Sequence, residues 1–350
     1  MYAFLLEASI YLYMQMKIQE QLLMFVFIAV ILSSCGGSDR NKIPVRTGSD
    51  TEIERLNSAV QGSRGGTTEL LTRAKYLHSK SNFDEALADL FLILKKDSTH
   101  LQAHHLLAEV YLETYQSQLA LRTMERASKL YPDSIHTFLK LAEYQLILKQ
   151  YDQSRESIGR VMQLDPQNAD GLFLLGLNYK EQDEREKAIA AFQSAVEINP
   201  DLTDAWLILG NYMEQINNSL AGQYYDNAVR VSPDNIAALH SKAFYLQNED
   251  RIDEAIELYQ TILTIDSSYA DAYLNSGILH ILREEVPLAL DQFNALIGVD
   301  STNELAHFYI GRSWELLGDK IKAKQAYRQA IRWSPSMKKA QEALELLEIQ

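Results

Sequence analysis

Small and apolar residues return along this chain with a period of 34 residues from Thr67 to Met337, and within each period the apolar positions fall three and four apart. That spacing predicts amphipathic helices, and a fixed period of this length predicts helical hairpins stacked as a solenoid. Cut by the period, the units are 67–100, 101–134, 135–168, 169–202, 203–235, 236–269, 270–303 and 304–337, with only the fifth one residue short. The eighth place reads Ala74, Ala108, Ala142, Gly176, Gly210, Ala243, Gly277, Gly311, and a second small column reads Ala86, Ala120, Ser154, Ala188, Ala221, Ala255, Ala289, Ala323. Two helix backbones approach closely only where no large side chain intervenes, so these columns mark the contact inside each hairpin. Four residues after the second column stand Leu90, Met124, Ile158, Phe192, Tyr225, Tyr259, Phe293 and Tyr327, which should fill the space between helices.

Helix ends are marked as clearly. Pro132, Pro166, Pro200, Pro233 and Pro335 share one column after the second helix, where proline stops a helix and a following Asp, Ser or Asn can cap the next. The missing residue of the fifth unit falls near Asn217 and Asn218, so the turn is expected to absorb it. After the last unit, Ala340, Ala343, Leu344 and Leu347 lie on one helical face, and 338–350 is expected to cap the stack.

These columns resemble the tetratricopeptide repeat family, most closely in the fourth unit through Leu172, Leu175, Gly176, Tyr179, Ala188, Phe192, Ala195 and Pro200. Ser98, Ser267 and Ser301 replace the expected proline, Ile262 and Leu296 replace the later alanine, and the first unit carries Arg73 in an apolar place. The resemblance implies an all-α fold, a right-handed superhelix (α-solenoid) of about eight helix-turn-helix repeats.

The run Leu22 to Leu32 is apolar but too short to span a bilayer, and it reads as a signal peptide. Met16 with Lys17 forms a compact positive head and is the expected true start. Leu32, Ser33, Ser34 and Cys35 resemble a bacterial lipobox, which implies lipidation of Cys35, the only cysteine of the chain. An ordinary apolar leader with a cysteine near its end is the plainer alternative. The lipobox reading implies a lipid-anchored protein of the bacterial cell envelope, and Gly36 in place of an aspartate favours the outer over the inner membrane. Residues 36–66 are rich in Gly, Ser and charge and read as a flexible tether, within which Ile53, Leu56 and Val60 have the spacing of a short helix.

Lys and Arg total 33 against 47 Asp and Glu, for a net charge of −14, and no basic stripe interrupts the repeats. Nucleic-acid binding is excluded on this balance, because phosphate neutralisation needs clustered cations. Asp170, Asp204 and Asp271 each open a first helix, where the macrodipole accounts for them. No HExxH, phosphate-cradling GxxxxGK[ST], GxSxG or spare cysteine nucleophile occurs, so the chain reads as non-enzymatic and without a cofactor. His105 and His136 fall on neighbouring first helices with Glu109 near, which admits a metal or proton-sensing site. Ordinary helix-surface histidines are the simpler account, and His104 belongs to a core column. Trp206, Trp314 and Trp333 fall in core columns.

The family resemblance implies that first helices line a concave groove through their fifth, ninth and twelfth places. Leu139, Leu146, Phe173, Leu177, Leu207, Phe244, Leu274, Ile278 and Phe308 stand there and trace an apolar path flanked by Glu109, Glu143, Asn211 and Arg312. The Lys, Asn and Arg of the family's carboxylate clamp are replaced by Leu71, His105, Leu139, Glu109 and Glu143. Burial of these residues against neighbouring helices is the competing account of the path. The resulting expectation is an interaction scaffold for other envelope proteins or peptide segments. The alternative is an envelope protein that binds a peptide or small apolar ligand in the groove.

Overall fold

Where the period places first helices, the computed structural model, which describes residues 51–349, has helices beginning at Thr67, Leu101, Ile135, Ala169, Thr203, Ile236, Ala270 and Glu304. The expected leader, Cys35 and the early part of the 36–66 segment lie outside the described residues. Among those described there are eighteen α-helices and no strand. In chain order they are α1 Thr51–Gly62, α2 Thr67–Ser79, α3 Phe83–Lys96, α4 Leu101–Glu113, α5 Ser117–Leu130, α6 Ile135–Ile147, α7 Tyr151–Leu164, α8 Ala169–Glu181 and α9 Arg185–Ile198. They continue as α10 Thr203–Gln215, α11 Leu220–Val231, α12 Ile236–Asn248, α13 Ile252–Ile265, α14 Ala270–Leu282, α15 Val286–Val299, α16 Glu304–Leu316, α17 Lys320–Trp333 and α18 Lys338–Ile349. None is long and apolar enough to cross a membrane.

The chain divides at Tyr76. In the first unit, Leu56 of α1 is buried, and Arg73, out of place in an apolar column, donates from its Nη1 to Asn57 Oδ1 at 2.9 Å. The second unit, from Leu77, is an all-α stack of helix-turn-helix repeats in which each hairpin from α4–α5 to α16–α17 packs on the next, and α18 packs on α17. Ala340 and Leu347 of α18 are buried, as a capping face requires, whereas Leu346 and Ile349 on its other side are exposed.

Every hairpin turn has one design. Ser81, Tyr115, Lys149, Asp183, Asn217, Asp250, Glu284 and Gly318, all at the fifteenth place, have positive φ between 53° and 81°. The next N–H reaches back to a first-helix carbonyl, as Gln116 N does to Tyr111 O at 2.7 Å and Gln150 N to Gln145 O at 2.8 Å. This left-handed closure satisfies carbonyls that a helix end otherwise strands. It also decides where the short fifth unit loses its residue. The closure is kept at Asn217 and Asn218, whose N–H bonds Met213 O at 2.9 Å, and α11 has 12 residues where the other second helices from α3 to α17 have 14. The start of the second helix, rather than the turn, absorbs the deletion. Between units, Asp97, Asp165, Asn199, Asp266 and Asp300 accept from the N–H two residues on, and Ser134, Asn168, Asn235 and Asn303 cap the next first helix.

Inside the hairpins the small column and the large column answer each other. A Cβ on Gly176 would lie 2.6 Å from the Phe192 ring, and one on Gly277 would lie 2.5 Å from Phe293; Gly210 and Gly311 stand likewise against Tyr225 and Tyr327. Ala108 packs with the slimmer Met124, and Ala142 has Ile158 at the matching place in register. The exception is Ala243 with Tyr259. Tyr225 and Tyr327 donate their hydroxyls to Glu214 and Glu315 of the same hairpin, at 2.8 and 2.7 Å. Tyr259 instead accepts from Asn275 of the next hairpin at 3.2 Å, and the buried Gln247 Oε1, at the place of those glutamates, has no hydrogen-bond partner. The other hairpins with a ring at this place have glycine opposite it, whereas this one has the Ala243 methyl. The tryptophans are less buried than core columns require: Trp206 and Trp314 are half-buried, and Trp333 is 44% exposed.

Candidate functional site

Side chains three and four apart on a helix share a face, which places Leu139, Glu143 and Leu146 together on α6. All three are half-buried. On α8, Phe173 packs against Phe192 with ring centroids 5.6 Å apart, and Leu177 lies against the same cluster of Phe192, Val196 and Leu209. On α10, Leu207 rests on Met213 and Tyr225. Phe173, Leu177 and Leu207 are each half-buried, so they are anchored on one side and open on the other.

The rest of the expected path is different. Phe244, Leu274, Ile278 and Phe308 are buried at 2–7% exposure. Phe308 packs on Tyr327 and Tyr309 with centroids 5.7 and 5.2 Å apart, and α14 is buried on nearly every side from Ala272 to Ile281. These four residues are core, not a surface that a partner reaches. Burial against neighbouring helices, the competing account of the path, therefore holds for hairpins 236–337 and not for 135–235.

The histidine pair is real as a contact. The rings of His105 and His136 meet edge to face with centroids 5.0 Å apart. His105, 9% exposed, shares a 2.9 Å hydrogen bond between its Nε2 and Thr137 Oγ1. Burial, with the His136 and Lys140 charges adding, pushes its pKa down to about 4, so it is neutral at physiological pH. His136 is exposed, and the partial desolvation of its ring, with the Lys140 charge adding, lowers its pKa too. Glu109 is held by an ion pair with Lys140. Among the described residues no group of three or more His, Cys, Asp or Glu side chains is placed to hold a metal. The arrangement does packing and hydrogen bonding, with Thr137 and Lys140 taking the polar atoms that a ligand would need.

Glu143 is the charged residue of this face that is left over. Its side chain accepts no hydrogen bond and joins no ion pair with the described residues. Desolvation, opposed by Lys140 and reinforced by Glu109, raises its pKa above the ordinary carboxylate value. Glu214 is desolvated to similar effect but accepts from Tyr225 Oη and from Asn248 Nδ2 at 2.8 and 3.1 Å. Periodicity marked Glu143 as a flank of the path; its lack of a partner depends on where Lys140 turns and has no signature in the sequence.

A stack of helical hairpins, half-open along one apolar row, defines the class of helical-repeat proteins. Residues 169–202 and 306–337 match the family model for the tetratricopeptide repeat. The C-terminal part of a TPR repeat-containing protein from Cytophaga hutchinsonii shares the fold, with a TM-score of 0.57 at 18% identity, covering 68% of this chain and 98% of that one. Among curated proteins, the human mitochondrial import receptor subunit TOM70 is 22% identical over 254 residues, 69% of this chain and 42% of the relative. A DnaJ homolog subfamily C member 7 homolog of Schizosaccharomyces pombe is 28% identical over 218 residues, 56% of this chain and 46% of the relative. The chain thus spans less than half the length of these two relatives. Tetratricopeptide repeat proteins generally mediate protein–protein interaction and are generally not enzymes.

Proposed function

We propose that this chain is a non-enzymatic interaction scaffold that holds a segment of another protein against the first helices of hairpins 135–235, and that a lipid on Cys35 keeps it in the bacterial cell envelope, at the outer membrane. The observation that carries the binding half is the row Leu139, Phe173, Leu177 and Leu207, apolar and half-open on rigid helices while the equivalent places further along are buried. Apolar surface of this kind is a liability unless something covers it. The import-receptor and DnaJ-homolog names of the relatives fit a protein-handling role. The anchor half rests on the lipobox-like Leu32–Cys35 sequence alone.

Quantitative recovery of crosslinked partners from native membranes, at equal abundance of each variant, tests the binding half. Phe173→Glu and Leu207→Glu should lose partners while far-UV circular dichroism stays helical, and Lys187→Glu, at an exposed site, should keep them. Equal recovery by all three rules the face out. For the anchor, labelling with a fatty-acid analogue should disappear in Cys35→Ala, and undiminished labelling rules out lipidation there.

A further inference from the structure

We infer that the segment held by hairpins 135–235 carries a lysine or arginine between apolar side chains, and that Glu143 is the residue that selects it. The inference rests on the groove reading above and adds the chemistry of the occupant. Leu139 and Leu146 flank Glu143 one turn away on either side, and Leu177 occupies the same place in the next first helix. An apolar segment laid along Leu139, Phe173 and Leu177 therefore crosses the Glu143 carboxylate and takes away its remaining water.

A carboxylate stripped of water without a partner is strongly unfavourable. On the protein side Lys140 offsets it only in part, because its ammonium is engaged by Glu109, and the His105 ring is neutral and bonded to Thr137. Two carboxylates and one ammonium leave this patch one negative charge in excess, within a chain of net charge −14. A cation from the partner completes the pairing, whereas an acidic or phosphorylated segment adds repulsion. The polarity is opposite to that of a clamp for a carboxylate.

Three fluorescein-labelled peptides of one leucine-rich scaffold, differing only in lysine, glutamine or glutamate at the central position, test this with the full chain by fluorescence anisotropy. The lysine peptide should bind at least about tenfold more tightly than the glutamate peptide, with the gap narrowing as salt rises. Glu143→Gln, which keeps size and helix, should erase the discrimination, and Glu143→Lys should reverse it. If wild type binds all three alike and Phe173→Glu loses all three, the groove stands and the charge inference fails. If Phe173→Glu changes nothing, or no peptide binds, the groove reading itself falls.

Discussion

Hairpins 135–235 and 236–337 are built on the same columns and end up with different faces. In the first group, Leu139, Phe173, Leu177 and Leu207 are half-buried; in the second, Phe244, Leu274, Ile278 and Phe308 are sealed. The difference follows from what stands beside each column. Between 236 and 337 the fifth and sixth places bring rings together: His240 with Tyr259 and Tyr269, and Tyr309 stacked on Phe293 with centroids 5.4 Å apart. Phe308 meets two rings, Tyr309 and Tyr327, and is sealed, whereas Phe173 meets the ring of Phe192 and stays half-buried. A column is thus core or surface according to the bulk of its neighbours, and identical register does not make identical surfaces.

The strongest way to break the comparison is to overfill a glycine hairpin. Gly277→Ala drives a methyl into Phe293 and should cost about 1–3 kcal/mol. Adding Phe293→Leu should recover part of the loss, and urea midpoints of the two single variants and the double variant read the coupling. A simple sum of the two single losses would show that ring and methyl do not compete.

The histidines at the fifth place, buried His105 in an early hairpin and half-buried His240 in a late one, both have pKa values lowered first by desolvation. The unfolded chain protonates near pH 6.5 while folded His105 waits until about 4, so between those values the unfolded state binds more protons. Stability from this group is complete above about pH 6.5 and falls as the pH drops toward 4, by roughly 1–3 kcal/mol. His105→Gln should flatten that slope in denaturant titrations from pH 7 to 4. Glu143, whose pKa is raised, works in the opposite sense, because the folded state takes up its proton first. Glu143→Gln should therefore raise the neutral-pH melting temperature even as it costs binding selectivity.

Two smaller tests sharpen the contrast. Ala142→Gly should cost about 1 kcal/mol, the usual helix-interior difference. Ala243→Gly should cost distinctly less, by giving Tyr259 the glycine that the other ring-bearing hairpins have; equal losses would show that the methyl does not crowd the ring. At the turns, the last hairpin already has Gly318 at its left-handed residue while earlier ones strain a side-chain-bearing residue there. Lys149→Gly should stabilise by a few tenths to about 1 kcal/mol in urea titration.

What the sequence by itself determined is the class of fold. Helix starts at Leu101, Ile135 or Glu304, the small columns and the capping residues at Ser134 and Asn303 are legible because a helix and its ends depend on residues a few places apart, and each hairpin meets only its neighbours. The helical spacing of Ile53, Leu56 and Val60 was legible for the same reason, and those residues lie in α1. The tertiary structure decided the rest. That Phe308 is core while Leu207 stays half-open, that Lys140 turns to Glu109 and leaves Glu143 alone, and that Tyr259 leans to the next hairpin all depend on side chains some 15 to 35 residues distant. Exposure and pairing are properties of the volume and charge packed around a residue, and a periodic pattern specifies position without specifying that surrounding volume.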